Sequence, residues 1–346
     1  MNSIAKLHKA TSASIRAQVP INNFVMAQKK RPKVSWQDIQ KEIQTSKSPE
    51  DPGGFDTVRR GSYKLVEKVT GRPLLVYATA FHNPIKARVA SPFLTIDISD
   101  KDGFDEIIRN VDSDAVDIFI HSPGGSAEAA ESIVRMLRDK FTDVRFIVTG
   151  SAKSAATMLA LSGNEILMDD PAELGPIDPQ VRVGDRFTPA GSIIEQFDRA
   201  EEILKKDPEA LPVWVPILEK FAPALLVECE NYINFAKHLV ITWMTDYMFA
   251  KINSKDAKKK ARKIANYLAD EKNTYSHARR IDLKQLRKYG VNVKALTEQK
   301  QELQDAVRRL HLSIMATLDN TSAAKIFENS QGAVLIRMVQ TQVKAQ

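Results

Sequence analysis

The chain changes from apolar to glycine-rich over Val116-Asp117-Ile118-Phe119-Ile120-His121-Ser122-Pro123-Gly124-Gly125-Ser126. The apolar half is rich in β-branched and aromatic residues, which predicts a buried strand. Residues 127–141 carry apolar side chains at helical spacing, so a helix follows the glycines. Glycine lets a ligand approach the main chain, and a helix start offers unpaired N–H groups, so this corner can hold a developing oxyanion. The alternative is a glycine turn that only redirects the chain.

A second corner of the same kind is Gly150-Ser151-Ala152-Lys153-Ser154-Ala155-Ala156-Thr157, which follows the predicted strand 144–148 and opens another helix. A nucleophilic serine gains from this position because the helix dipole favours negative charge and small neighbours leave room for substrate. Ser151 is a candidate N-cap, with Ser154 in the first helical turn. The alternative is a small-residue helix packed tightly on the sheet. A shared active site requires the two corners to meet.

The surrounding pattern predicts an α/β fold. Apolar runs at 73–77 and 93–98 read as further strands, and 103–111 reads as a helix. A β-α-β-α-β order predicts a largely parallel sheet covered by helices. After Pro189, amphipathic helical patterns replace the short strands, over 191–206, 211–250, 254–268, 298–318 and 323–343.

Three regions follow from this pattern. We predict a basic tail and linker over 1–55, because Pro, Gly and Ser cluster at 46–54. An α/β core spans 56–189, and a helical arm and C-terminal region spans 190–346. No stretch approaches the roughly 18 apolar residues of a membrane span.

Composition sets the expected compartment and partners. The chain has 346 residues, of which 43% are hydrophobic, and a formal net charge of +7. That excess is modest, so it suggests at most a weak anionic partner for the basic tail. The single cysteine, Cys229, excludes an internal disulfide and a cysteine-ligated metal cluster, which favours a reducing cytoplasm.

The two corners and a later segment, Glu173-Leu174-Gly175-Pro176-Ile177-Asp178-Pro179-Gln180, resemble the ClpP-class peptidases in the same order. The sequence is most similar to the serine dehydrogenase proteinase family, which is related to signal peptide peptidase A. The resemblance covers about residues 58–295. It implies a ClpP/crotonase-like fold with a helical C-terminal extension, a serine-type peptidase acting on polypeptides, a homo-oligomer, and no metal or nucleotide cofactor.

The resemblance also implies site residues. Ser154 is the expected nucleophile, and the amides of Gly125 and Ala155 are the expected oxyanion hole. Relatives usually carry Gly-Gly directly after the serine, whereas this chain carries Ala155-Ala156. Alanine keeps the N–H group but adds a methyl that narrows the substrate channel.

The general base has two candidates. The base in signal peptide peptidase A is a lysine some tens of residues after the serine, and Lys206, beside Lys205, lies in the matching region. The serine dehydrogenase proteinases tend to carry a histidine where this chain has His277. The alternative for Lys206 is a position on a solvated helix face. The alternative for His277 is a capping or core hydrogen bond. Asp178 either fixes a turn or orients the base.

Two other functions use the same fold. One is a binding or scaffold protein descended from a peptidase, which the alanines after Ser154 motivate. The other is an acyl-CoA enzyme of the crotonase type, in which paired amides hold an enolate. Crotonases do not need a serine at the helix start, so the sequence favours peptide hydrolysis.

Overall fold

A computed structural model describes residues 32–339. The basic residues of the predicted tail before Arg31, and with them the predicted anionic contact, lie outside the described residues. The strands are β1 (Leu74–Thr79), β2 (Ala115–His121), β3 (Asp143–Val148), β4 (Ser151–Ala152), β5 (Glu165–Met168), β6 (Glu173–Leu174), β7 (Gln180–Val183), β8 (Arg186–Pro189), β9 (Val293–Ala295), β10 (Ala323–Asn329) and β11 (Val334–Met338).

The helices surround these strands and form the arm. They are α1 (Trp36–Thr45), α2 (Phe55–Thr70), α3 (Pro84–Ala90), α4 (Asp100–Ile108), α5 (Ala127–Lys140), α6 (Ala155–Leu161), α7 (Ala190–Lys206), α8 (Leu211–Leu218), α9 (Leu225–Trp243), α10 (Ser254–Ala269), α11 (Glu271–Thr274), α12 (Leu283–Tyr289) and α13 (Gln301–Asn320). Within residues 32–339, no helix has both the length and the apolarity that crossing a bilayer requires.

The main sheet has seven strands in the order β11-β10-β1-β2-β3-β5-β9. Strands β1, β2, β3, β5 and β9 are parallel, whereas β10 pairs antiparallel with β1 and β11 pairs antiparallel with β10. The predicted α/β class with a largely parallel sheet is therefore confirmed.

The sheet is buried on both faces, which explains why its strands are almost continuously apolar. Successive residues of β1 belong to different cores: Leu75 and Tyr77 pack with α4, α5 and α6, whereas Leu74 and Val76 pack with α2 and α13. This helix–sheet–helix arrangement fixes the carboxyl edge of the parallel strands, where both glycine- and serine-bearing corners begin.

The segment assigned to the tail and linker contains α1. A capping box between Ser35 and Asp38 starts this helix, and its Ile39 and Ile43 are buried against α2 and α13. The predicted strand at 93–98 is wrong: the chain makes a short 3-10 turn over Ser91–Leu94 and then one bridging residue, Ile96.

The helix predicted over 323–343 is also wrong, because β10 and β11 form a hairpin there. Gly332, at φ +106, lies in its turn. The charged Lys325 and Glu328 obscure the strand pattern, yet both side chains are fully buried and each has ionic partners. Partners on neighbouring elements are what make a buried charge tolerable.

Candidate active site

The two corners meet, as the sequence predicts. The Ser122 amide donates to the Ser151 carbonyl over 3.0 Å, and the Lys153 amide donates to the Ser122 carbonyl over 3.0 Å. A Cβ atom added to Gly124 would lie 2.6 Å from the Ser154 Cβ and 3.0 Å from the Ala155 nitrogen. The glycine corner is therefore in direct contact with the corner that carries Ser154.

Ser154 occupies a sharp turn between β4 and α6. Its backbone has φ 50 and ψ −122, a conformation that costs a non-glycine residue about 1–3 kcal/mol. A strained strand-to-helix turn of this kind exposes a serine side chain at the edge of a sheet. Ser154 itself precedes α6, and its hydroxyl makes no capping bond to the described helix amides.

Ser151 does not cap the helix. It lies in β4, and its hydroxyl donates to Glu173 Oε1 over 3.0 Å. The candidate N-cap is therefore wrong, and Ser154 stands where Ser151 was expected. The helix thus begins three residues later than expected, and Ser154 is partly buried and lines the cavity.

Two backbone amides flank Ser154. Ile96 donates to the Gly124 carbonyl over 2.7 Å, and Ser126 donates to the Ile96 carbonyl over 2.9 Å. Because amides alternate in direction along a parallel bridge, the Gly125 N–H points away from Ile96. Ala155 is the first residue of α6, so its N–H has no acceptor within the helix. Both residues line the same cavity as Ser154.

His277 lines this cavity too and is held by a buried carboxylate. Its Nδ1 lies 2.9 Å from Oδ1 of Asp178, a side chain only 4% exposed. The second oxygen of Asp178 accepts from Gln180 Nε2 over 2.7 Å. A carboxylate on Nδ1 fixes the imidazole tautomer and leaves Nε2 as the proton acceptor. Among the described residues that line the cavity, His277 is the one basic side chain.

The segment 173–180 connects the corner that carries Ser154 to the loop that carries His277. Thr157 Oγ1 donates to the Ala152 carbonyl over 2.7 Å and accepts from the Gly175 amide over 2.9 Å. Leu174 and Ile281 exchange both backbone hydrogen bonds, at 3.1 and 3.0 Å. Through these contacts Thr157 joins the Ser154 corner to Gly175, and Leu174 joins it to Ile281.

Lys153 reinforces the same connection. Its Nζ lies 2.9 Å from Glu173 Oε1 and also approaches the carbonyls of Leu174 and Arg279, each over 3.4 Å. Partial burial opposes ionisation of Glu173, but hydrogen bonds and the charge of Lys153 outweigh it and lower the Glu173 pKa. Lys153 is therefore occupied in holding Glu173 and the loop that follows His277.

Lys206 lies elsewhere. It is exposed in the last turn of α7 and is not among the described residues that line the cavity. Its neighbour Lys205 pairs with Glu201 on the same helix. Of the site residues named from sequence, the structure brings together Ser154, Gly125, Ala155 and His277, and it does not bring Lys206 to them.

Three further histidines, His82, His121 and His311, lie close to the corner that carries Ser154 but are not among the residues that line the cavity. Burial, with the neighbouring His82 and His311, holds the pKa of His121 well below its ordinary value. Burial also lowers the pKa of His311 to about 4, and its Nδ1 lies 2.9 Å from Thr149 Oγ1. His121 Nδ1 faces the Ser151 amide at 3.4 Å. His121 is buried and supports the corner from within, whereas His82 is exposed.

The cavity has a volume of about 540 Å³. Its floor and walls are largely apolar, and the arm helix α9 supplies one wall with Tyr232, Phe235 and Ala236. Such a volume lies within the ordinary range for a ligand site. Ser154, Gly125, Ala155 and His277 thus share one concave surface that is large enough for a ligand.

Sequence reasoning left the role of Asp178 open and missed those of Lys153 and Thr157. Asp178 is part of the Leu-Gly-Pro-Ile-Asp-Pro-Gln run, so its motif marked it, but its partner is 99 residues away. Thr157 belongs to the second corner, and nothing near it in the sequence indicates its partner Gly175. Long-range partners are the missing signal in each case.

Comparisons with known proteins agree with the motifs. A family model described as ClpP-like SDH-type serine proteinase matches residues 89–221. Two uncharacterised proteins of Methanocaldococcus jannaschii are 29% identical over 205 residues and 27% identical over 199 residues. The matches cover 58% and 57% of this chain but only 59% and 60% of those proteins.

Among solved structures, a serine-to-alanine mutant of the 1510-N membrane-bound stomatin-specific protease aligns at a TM-score of 0.36 and 16% identity. The alignment covers 62% of this chain and 79% of the stomatin-specific protease chain. The family match contains both corners, Ser154 and Asp178. Residues 89–221 therefore match the ClpP-like SDH-type serine proteinase family, which is the family that the motifs of this chain resemble.

Proposed function

We propose that this protein is a serine peptidase that hydrolyses peptide bonds through an acyl-enzyme on Ser154. The observation that carries the proposal is one cavity lined by Ser154, Gly125, Ala155 and His277, with His277 held by Asp178. A nucleophile, a base with its orienting carboxylate, and two main-chain donors are the parts that acyl transfer needs.

Each part has a role in the reaction. Ser154 Oγ attacks the scissile carbonyl carbon while His277 Nε2 takes the hydroxyl proton. The Gly125 and Ala155 N–H groups donate to the oxyanion of the tetrahedral intermediate. Asp178 stabilises the imidazolium, which then protonates the leaving amine. Water, deprotonated by His277, releases the acyl group and regenerates Ser154.

The alanines after Ser154 are compatible with this role. Ala156 is fully buried in the core between the sheet and α5, so its methyl group faces away from the substrate channel. Ala155 is 1% exposed and lines the cavity through its small side chain and backbone. The replacement of two glycines therefore leaves the oxyanion donor in place and narrows the channel at one residue.

A fluorophosphonate probe tests the nucleophile directly. We expect one covalent adduct per chain, located at Ser154 by peptide mass spectrometry, because only an activated serine hydroxyl displaces fluoride at a useful rate. The Ser154→Ala variant should not react. Ser132→Ala, on α5 outside the cavity, should react like the unmodified protein.

Two outcomes would contradict the peptidase proposal. An intact, folded sample that takes up no probe, and that cleaves no unfolded casein, would favour the scaffold function instead. Saturable binding of a CoA thioester at the same cavity, without labelling of Ser154, would favour the crotonase-type function.

We also propose that the chain forms a homo-oligomer through its arm. Apolar side chains on α8 are unusually exposed: Leu211 by 51%, Val213 by 68%, Val215 by 37% and Ile217 by 40%. Exposed apolar side chains concentrated on one short helix favour a contact surface there. The reducing cytoplasm is the compartment we propose for this assembly, since Cys229 has no second cysteine to pair with.

Light scattering coupled to size exclusion should give a mass that is a multiple of 38.7 kDa. Val213→Glu should shift the distribution towards smaller species, because a carboxylate in the contact is desolvated on assembly. Glu209→Lys, nearby but polar in both forms, serves as the control. Detection of a 38.7 kDa species alone at micromolar concentration would contradict the oligomer.

A further inference from the structure

Lys325 is a fully buried lysine in β10, on the side of the sheet that carries α4. Its Nζ donates to the Thr95 carbonyl over 2.7 Å, to Asp97 Oδ2 over 3.0 Å and to Asp100 Oδ1 over 2.7 Å. All three acceptors lie within one short segment, 95–100. An ammonium group removed from water is costly unless its hydrogen bonds are satisfied, so the segment and the lysine are bound to each other strongly.

Segment 95–100 contacts the loop that carries Gly125 through backbone atoms. Ile96 exchanges hydrogen bonds with the residues on either side of Gly125, at 2.7 and 2.9 Å. A Cβ atom on Gly125 would lie only 2.2 Å from the Ile96 carbonyl oxygen. Gly125 therefore rests directly on Ile96, and any shift of Ile96 changes the direction of the Gly125 N–H.

The same segment is tied to the rest of the sheet. Tyr77 of β1 donates its hydroxyl to Asp100 Oδ2 over 2.9 Å, and Arg337 of β11 donates to the hydroxyl and carbonyl of Ser99. Thr95, Ile96 and Asp97 also line the cavity. The hairpin of β10 and β11 thus fixes a part of the active-site wall that lies more than 220 residues earlier in the chain.

We propose that Lys325 is a positioning residue for the oxyanion hole, acting through Thr95–Asp97 and Ile96 to hold the Gly125 amide towards Ser154. The inference rests on the proposed peptidase function. Lys325 itself touches no substrate. It lies outside residues 89–221, so the family match does not include it.

The test compares Lys325→Met with Lys325→Arg. Methionine keeps most of the volume but donates no hydrogen bond, so we expect Ser154 labelling by the fluorophosphonate to slow by about 10- to 100-fold, part of what removing one oxyanion donor costs. With a peptide substrate, kcat should fall while KM changes little, because the lost interaction belongs to the transition state. Arginine should restore part of the rate.

Glu328→Gln is the matched control. Glu328 also belongs to β10 and is also fully buried, but it binds Arg59 Nε over 2.6 Å and the Tyr63 hydroxyl over 2.8 Å, on the other face of the sheet. Both variants disrupt a buried ionic contact of one strand. We expect both variants to lower the urea midpoint. Only Lys325→Met should also slow the labelling of Ser154.

Amide hydrogen exchange provides a readout that does not need activity. Peptides covering 94–99 and 123–127 should exchange faster in Lys325→Met and not in Glu328→Gln. If Lys325→Met fails to fold, Asp97→Asn takes its place, since Asp97 is 38% exposed and its replacement removes one of the two carboxylates that bind Lys325.

The two proposals fail in different ways. Unmodified protein that is never labelled overturns the peptidase function, and exchange then decides the role of Lys325. Labelled protein in which Lys325→Met and Glu328→Gln slow the reaction equally, or unchanged exchange at 123–127, overturns the positioning role.

Discussion

Replacement of His277 by alanine is expected to lower kcat/KM for the proposed peptide cleavage by about 10⁴- to 10⁶-fold, comparable to the loss of the catalytic histidine in a serine peptidase. His277 is the one basic side chain among the described residues lining the Ser154 cavity, and Asp178 holds its Nδ1. Without it, the described residues that line the cavity include no imidazole or amine to take the hydroxyl proton. Steady-state kinetics with a fluorogenic peptide measure the loss.

Asp178→Asn should follow with a loss of about 10⁴-fold, because an amide in that place favours the wrong imidazole tautomer. Lys206→Met is the control that separates the two candidate bases. It should leave kcat/KM unchanged, since Lys206 is exposed at the end of α7. A large loss in Lys206→Met with activity retained in His277→Ala would reverse the assignment.

Gly124→Ala is expected to abolish labelling of Ser154, with a rate at least about 10²-fold below normal, and to destabilise the fold by about 2–4 kcal/mol. The added methyl group would lie 2.5 Å from the Lys153 carbonyl oxygen and 2.6 Å from the Ser154 Cβ. Those are backbone and near-backbone atoms that cannot rotate away, so the two corners must separate. Urea denaturation and the labelling rate measure the two effects.

Gly332→Ala distinguishes this collision from simple backbone strain. Gly332 has φ +106 and Gly124 has φ +96, so alanine is strained at both, but no described atom lies within 4 Å of a Cβ placed on Gly332. We expect Gly332→Ala to lose about 1–2 kcal/mol and to keep its labelling rate. Equal labelling in the two variants would mean that the corners need not touch for the reaction.

The parts of the fold that sequence predicts are those set by local pattern. The strand 116–120 and the helix after Ser126 follow from apolar periodicity, and β2 and α5 lie where expected. The meeting of the two corners follows as well, because neighbouring parallel strands end at one edge of a sheet. Ser122 and Ala152 form the bridge that realises it.

The parts that sequence does not predict depend on distant partners. Buried charges gave β10 a helical appearance, since Lys325 and Glu328 become tolerable in a strand only after Asp100 and Arg59 are placed beside them. The sequence leaves the choice between Lys206 and His277 open for the same reason. Spacing along the chain favours neither, whereas the folding of segment 173–180 against Ile281 brings the histidine loop to Ser154.

The antiparallel pairing of β1 with β10 has a consequence for biosynthesis. The Leu74 amide is bound by the Ser330 hydroxyl across 256 residues, so a ribosome must add most of the polypeptide before the first sheet strand gains this neighbour. Until then the wall around Thr95 and Ile96 has no ammonium to hold it. A nascent chain with a complete Ser154 corner therefore still lacks the strand that, in our proposal, holds Ile96 against Gly125.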